Sequence, residues 1–172
     1  MGEHNRQNAA LAALALRMLG LDDVEIKKGL ESFEPVEGRL QLLRELRGIK
    51  IYNDNNATTP EATLAALASF DPLKTIVIAG GADKALPLKD LAAQIQKCKK
   101  VLLLAGTGTD KLKSLLPDTT IYRSVAEALT DAMAAAQSGD IVLFSPAFAS
   151  FGLFKNEYDR NDRFVAAVKA LQ

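Results

Sequence analysis

Four short stretches of this 172-residue chain concentrate side chains able to bind a ligand. The first, Asn53-Asp54-Asn55-Asn56-Ala57-Thr58-Thr59-Pro60-Glu61, sets a carboxylate, hydroxyls and three amides ahead of an apolar helical run. Thr59 suits a helix N-cap, Pro60 the first helical position and Glu61 the positive end of the helix dipole. Capping does not explain Asp54, whose carboxylate could hold a ribose hydroxyl or an ordered water. The second, Gly80-Gly81-Ala82-Asp83-Lys84, joins a sharp glycine turn to one cation suited to a carboxylate or phosphate. The third, Ser145-Pro146-Ala147-Phe148-Ala149-Ser150-Phe151, runs into Gly152-Leu153-Phe154-Lys155-Asn156. Small residues and hydroxyls at such a strand-to-helix junction form an anion-ready concavity of backbone N–H groups. The fourth, Gly106-Thr107-Gly108-Thr109-Asp110, looks like a dinucleotide fingerprint but lacks the third glycine, and it reads better as a capped helix start. The first three together favour one site for a small anionic ligand.

Other chemistries are excluded by what the chain does not contain. It has no G-x-x-x-x-G-K-[ST] phosphate loop and no Ser-His-Asp set. His4 is the only histidine and Cys98 the only cysteine, so no metal site is expected, and Cys98 reads as an inert helix-end residue. Apolar residues make up 48% and charged residues 24%, with a formal net charge of zero. No basic stripe faces a nucleic acid. The segment Met1–Asn8 is polar, without the apolar core of a signal peptide, and the apolar runs Ala9–Leu16 and Val101–Ala105 cannot span a bilayer. A soluble, cytoplasmic protein without a membrane partner is expected.

The elements that must position these stretches follow from periodicity. Asn8–Leu19 carries apolar residues at helical spacing and stops at Gly20; a short helix from Asp22-Asp23 to Ser32 follows. Phe33–Gly38, with Pro35 and Gly38, reads as a linker and the domain boundary. Beyond it, Leu40–Leu46 and Ile49–Tyr52 flank the two-residue turn Arg47-Gly48 as a hairpin. Aliphatic strands are expected at Ile76–Ile78, Val101–Leu104, Thr119–Tyr122 and Ile141–Phe144, with helices at Pro60–Phe70, Leu88–Gln96, Asp110–Leu115, Ala126–Ala136 and Phe154–Leu171. Continuous aliphatic strands alternating with helices mean an α/β fold: a Rossmann-like, doubly wound, mostly parallel sheet with one antiparallel hairpin strand. Its ligands belong at the carboxyl ends of the strands, where the first three stretches lie.

These residues resemble the Mur ligase family along nearly the whole chain. Gly2-Glu3-His4-Asn5 with Asn8 is similar to a helix start late in the family's central domain. Gly38-Arg39-Leu40 resembles the interdomain His-Arg-Leu element, with Gly38 in place of histidine. Asn53–Thr63 resembles Asn-Asp-Ser-Lys-Ala-Thr-Asn-Pro-Glu-Ala-Thr, and Ser145–Asn156 is similar to the Ser-Pro-Ala-x-Ala-Ser-Phe-Asp-x-Phe-Lys-Asn pattern of the D-glutamate-adding members. The resemblance implies an ATP-dependent amide-bond ligase in peptidoglycan precursor synthesis, with ATP and Mg2+ converting the carboxylate of UDP-N-acetylmuramoyl-L-alanine into an acyl phosphate that D-glutamate then attacks. Residues 1–36 would be the last helices of the central, ATP-binding domain, and residues 37–172 the C-terminal, amino-acid-binding domain. Carried over by position, Asn8, Arg39 and Asp54 would contact ATP, and Thr58, Lys84, Ser150 and Phe151 would bind D-glutamate. Catalysis would come from positioning and electrostatics rather than a catalytic side chain of this chain.

Three positions depart from the pattern: Asn56 stands where many members have lysine, Gly152 replaces an aspartate and Asn161 interrupts an Arg-Gly pair. Because Met1 falls where the family is mid-chain, the sequence reads as a fragment of a longer, monomeric enzyme or as a naturally split subunit, inactive alone in both cases. A related ligase using another amino acid or joining glutamate to folate, and a non-catalytic nucleotide- or partner-binding module, are the other readings.

Overall fold

The computed structural model describes residues 3–33 and 36–172; Gly2 and the expected linker proline, Pro35, lie outside them. The chain divides into two compact units, Met1–Val36 and Glu37–Gln172.

The first unit is a pair of helices, α1 (Glu3–Met18) and α2 (Asp23–Glu31). The turn between them closes on α1 through Gly20 N to Arg17 O (3.0 Å) and Leu21 N to Leu16 O (3.2 Å), a Schellman arrangement. A capping box then starts α2: Asp22 Oδ1 accepts from Val24 N (2.9 Å) and Glu25 N (2.8 Å), while Glu25 Oε2 accepts from Asp22 N (3.1 Å).

The second unit is built on six strands: β1 (Gln41–Leu46), β2 (Ile49–Asn53), β3 (Thr75–Ala79), β4 (Lys100–Leu104), β5 (Thr120–Tyr122) and β6 (Ile141–Phe144). The helices are α3 (Pro60–Leu67), α4 (Lys89–Ile95), α5 (Thr107–Leu115), α6 (Val125–Ala135) and α7 (Glu157–Ala170). The expected order of elements holds, with shifted ends. The fourth stretch lies partly inside α5, and α7 begins three residues after Phe154 because Asn156 caps it, accepting from Asp159 N (2.9 Å). A 3₁₀ turn at Pro72–Lys74 was not foreseen.

Strand order is β1-β2-β6-β3-β4-β5, with β1 antiparallel to β2 and the other pairs parallel. The hairpin turns at Arg47 (φ 55) and Gly48 (φ 75), the positive-φ pair that matches strand twist. From β2 the chain steps over β6's place to β3, proceeds outward to β5 and returns to fill the gap. Right-handed crossovers therefore put α3, α4 and α5 on one face and α6 on the other, joined there by α7. The two apolar cores follow this division. One packs Ile51, Ile76 and Phe144 against Leu129 and Phe164; the other packs Val77, Leu103 and Leu143 against Leu67, Ile95 and Leu112. Covered on both sides, β3 is buried at every residue, which is why its sequence is continuously apolar apart from Thr75. Among the described residues no helix is long and apolar enough to cross a membrane.

Candidate functional site

Because β6 lies between β2 and β3, the three loops leaving their carboxyl ends are neighbours. The chain leaves β3 toward one face and β6 toward the other, and open α/β sheets bind ligands where this reversal opens a crevice. The loop after β3 is stitched to the loop after β6 by Ala82 N to Ala149 O (2.8 Å) and Ala149 N to Ala82 O (3.2 Å). Gly80 N donates to Pro146 O (2.8 Å), and Ala147 N to Ala57 O in the loop after β2 (2.9 Å). Ala147 is buried at φ 65, a left-handed conformation that an alanine holds only when its surroundings enforce it.

Lys84 Nζ reaches across the end of β6 to Thr58 Oγ1, donating at 3.0 Å. Lys84 is exposed, Thr58 half-buried and Ser150 buried, while Phe151 is 62% exposed. The structure thus brings the Lys84 and Thr58 side chains together and carries Ser150 and Phe151 on the loop stitched beside them. The result is an open shelf. A hollow of about 310 Å³, lined by Leu46, Arg47, Met133 and Ser138 among others, lies instead near the hairpin turn.

Asp54 is placed differently from a side chain held out to solvent. It is 6% exposed; Oδ1 accepts from Leu40 N (3.1 Å) and Oδ2 from Ser145 Oγ (2.7 Å). It therefore clips two segments to the strand ends: the Gly38–Leu40 strap and the start of the loop after β6. The strap is also held by Asn56 N to Gly38 O (2.9 Å) and Asn56 Nδ2 to Glu37 O (2.9 Å). Arg39 is exposed on this strap, between Gly38 (φ 72) and Leu40 (φ 45). Asn8 is an exposed residue of α1 in the first unit.

Several supports of these loops were not anticipated. Arg160 of α7 is fully buried and donates to Asn55 Oδ1 (2.8 Å), Asn55 O (2.9 Å) and Phe148 O (2.9 Å), tying the loops after β2 and β6 to one guanidinium. Burial lowers its pKa to about 10. Asn161, the departure from Arg-Gly, accepts from Asn53 Nδ2 (2.8 Å) and donates to Glu37 Oε1 (2.9 Å). Asn53 and Asn55 are thus structural amides, and Asn56 spends its side chain on the strap. Gly152 sits at φ 94 in open surroundings, where an aspartate would be strained by its backbone rather than by crowding. Polar residues in a turn give no local sign of such partners, since Arg160 and Asn55 are far apart in sequence.

Chemically, the shelf offers one ammonium, hydroxyls and turn N–H groups, a set suited to carboxylates. Among the described residues no group of three or more His, Cys, Asp or Glu side chains could hold a metal ion. The donor set does not fit a resident metal.

The fold is a Rossmann-like α/β domain whose candidate site lies at the carboxyl ends of a mixed sheet. The chain belongs to the Mur ligase family: residues 38–148 match the model described as "Mur ligase, glutamate ligase domain". It is 42% identical to a UDP-N-acetylmuramoylalanine--D-glutamate ligase of Roseiflexus sp. (strain RS-1), an alignment covering 98% of this chain and 38% of that protein. The enzyme of the same name from Clostridium beijerinckii is 39% identical over 99% of this chain and 39% of its own length. The chain therefore spans about two fifths of these curated relatives. In fold it is similar to a UDP-N-acetylmuramate-alanine ligase of Thermotoga maritima, with TM-score 0.73 at 19% identity over 99% of this chain and 39% of that one. A MurF ligase of the same organism, solved in complex with ADP, gives TM-score 0.69 at 18% identity over 97% of this chain and 38% of the other.

Proposed function

We propose that this chain is the amino-acid-binding part of a cytoplasmic, monomeric ligase that joins D-glutamate to UDP-N-acetylmuramoyl-L-alanine in peptidoglycan precursor synthesis. The observation that carries this reading is the Lys84–Thr58 hydrogen bond across the tip of β6, beside the loop bearing Ser150. D-Glutamate carries two carboxylates and one amino group. An ammonium shared with a hydroxyl holds one carboxylate, and Ser150 with the turn N–H groups of its loop offers donors to the other. Phe151, largely exposed, provides an apolar edge beside the aliphatic part of the ligand. Neither Lys84 nor Ser150 needs to exchange a proton with the substrate; their work is to orient the amine, which lowers the barrier by fixing the attack geometry.

The residues fit the nucleotide in part. Arg39 is an exposed cation on a fixed strap and suits a phosphate oxygen. Asp54 keeps that strap in place, and a carboxylate at this strand end suits a ribose hydroxyl. Asn8 is assigned to the adenine. Residues 1–36 are assigned to the end of the ATP-binding domain and residues 37–172 to the C-terminal domain. ATP with Mg2+ supplies the activation of the muramoyl carboxylate, and the metal is held outside this chain's donor set. D-Glutamate is favoured over other acceptors because the relatives named for it match at 37–42% identity over 98–99% of the chain.

The test is ADP release by the full-length protein carrying this segment, supplied with Mg-ATP, UDP-N-acetylmuramoyl-L-alanine and one amino acid. Turnover is expected with D-glutamate and not with L-glutamate, lysine or diaminopimelate, and none is expected from the 172-residue chain alone. Turnover with lysine or a folate acceptor instead would assign a different ligase; no binding of any amino acid would leave a non-catalytic module.

A further inference from the structure

The start of α5 is not among the residues proposed to meet the ligand, yet it holds the loop that carries Lys84. Thr109 has no exposed surface, and its hydroxyl works in both directions: it donates to Leu104 O at the end of β4 (2.5 Å) and accepts from Gly81 N (2.9 Å). Gly81 O in turn accepts from Gly108 N (3.0 Å) and Thr109 N (3.3 Å). Nearer the ligand, Thr107 Oγ1 accepts from Asp83 N (3.0 Å). The Asp83 carboxylate accepts from Ala85 N (3.0 Å) and is ion-paired with Lys111 of the same helix. Both neighbours of Lys84 are therefore tied back to α5, Asp83 directly and Ala85 through it.

Close packing leaves this arrangement little slack. A side chain on Gly81 would strike the Ala149 carbonyl and Phe148, and one on Gly106 would strike the Gly81 backbone. A side chain on Gly108 would enter the Phe148 ring. Gly81 is the point where the loops after β3, β4 and β6 meet. Lys84 has a long, exposed side chain, so the place its ammonium can reach is set by where the backbone holds its Cα.

We propose that Thr107 and Thr109 are positioning residues for the amino-acid site, fixing the backbone from Gly81 to Ala85 and with it the reach of Lys84 toward Thr58. The inference rests on the reading of Lys84 as a contact to the incoming amino acid.

The experiment compares T109V, T109S, T107A and K84A in the full-length ligase. Valine keeps the volume of Thr109 but leaves Leu104 O and Gly81 N without their partner; serine keeps both bonds. T109V is expected to raise KM for D-glutamate about tenfold, with kcat at saturating D-glutamate and KM for Mg-ATP changed less than roughly twofold. T109S is expected to restore the wild-type value, and T107A to shift KM in the same direction by less. A purely structural role would instead lower the amount of active enzyme and leave every KM unchanged, and that result overturns the proposal. If K84A raises KM for D-glutamate while T109V does not, the positioning role falls and the binding site stands. If K84A leaves KM unchanged, the binding reading itself falls. Should T109V fail to fold, T107A decides, because an unchanged KM there removes α5 from the site.

Discussion

Among the described residues Arg160 is the largest side chain without exposed surface, and its guanidinium is hydrogen-bonded to oxygens of Asn55 and Phe148. A pKa lowered to about 10 still leaves it charged at neutral pH. Its removal strands carbonyl oxygens in the interior at roughly 1–3 kcal/mol each, while lysine can serve only some of them. Urea unfolding is therefore expected to rank stability wild type, then R160K, then R160M; an R160M variant as stable as wild type would show that this tie between the loops after β2 and β6 is dispensable. Asp83 makes a second prediction at this scale. Its hydrogen bond with Lys111 is the main reason its carboxyl is held below the ordinary value of 3.8. A depressed folded pKa means the tether is fully present above that ordinary value and is lost as pH falls through the folded one. After correction for intrinsic rates, exchange of the amides around Lys84 should be level from about pH 5 to 8 and accelerate only below about pH 4. A midpoint near neutrality would mean that another group controls the loop.

At the scale of elements, α7 depends on a side-chain cap. Asn156 Oδ1 accepts from Asp159 N, while Asp159 reaches back to Lys155 N (3.0 Å) and pairs with Arg163 (2.9 Å). N156A is expected to cost about 1 kcal/mol in urea unfolding and N156D much less, since an aspartate caps equally well. Equal losses for both would point away from capping. The helix period of α7 was legible, but its start was not: Phe154 continues the apolar rhythm, and only the cap geometry shows that the chain is still turning. Aliphatic runs likewise disclosed β3, β4 and β6, whose residues are mostly buried, and the Arg47-Gly48 turn disclosed the β1–β2 hairpin. Strand order was not legible, since no local feature says that the last strand returns to the middle. Thr109 escaped for a different reason. Its segment was weighed as a ligand loop or a helix start, and neither reading asks what a buried threonine does for the next loop. Lys84 stood out as a cation at a strand end, Thr58 only through the family resemblance, and nothing local to either says that the two side chains meet. Leu40 and Ala147 could not, because a positive φ leaves no mark on a residue that is not glycine.

At the scale of the molecule, Cys98 reports on the second unit as a whole. Burial pushes its thiol up to about 11, and it packs in the core beneath α3, α4 and α5. At pH 8 its reaction with a thiol reagent should be slow and should approach that of a free thiol only through the unfolding transition. Fast labelling of the native chain would mean that this core opens locally.

The late position of β6 also bears on synthesis. Strands β1 and β2 leave the ribosome first, and β3, β4 and β5 follow, but neither group can be joined until residues 141–144 arrive between them. Until then the nascent polypeptide carries two partial sheets with bare inner borders, the kind of surface that invites mispairing and chaperone attention. The neighbouring loops at the strand tips therefore cannot assemble before β6 does, and ribosome stalling before residue 141 should yield a protease-sensitive species that the next few dozen codons convert to a resistant one.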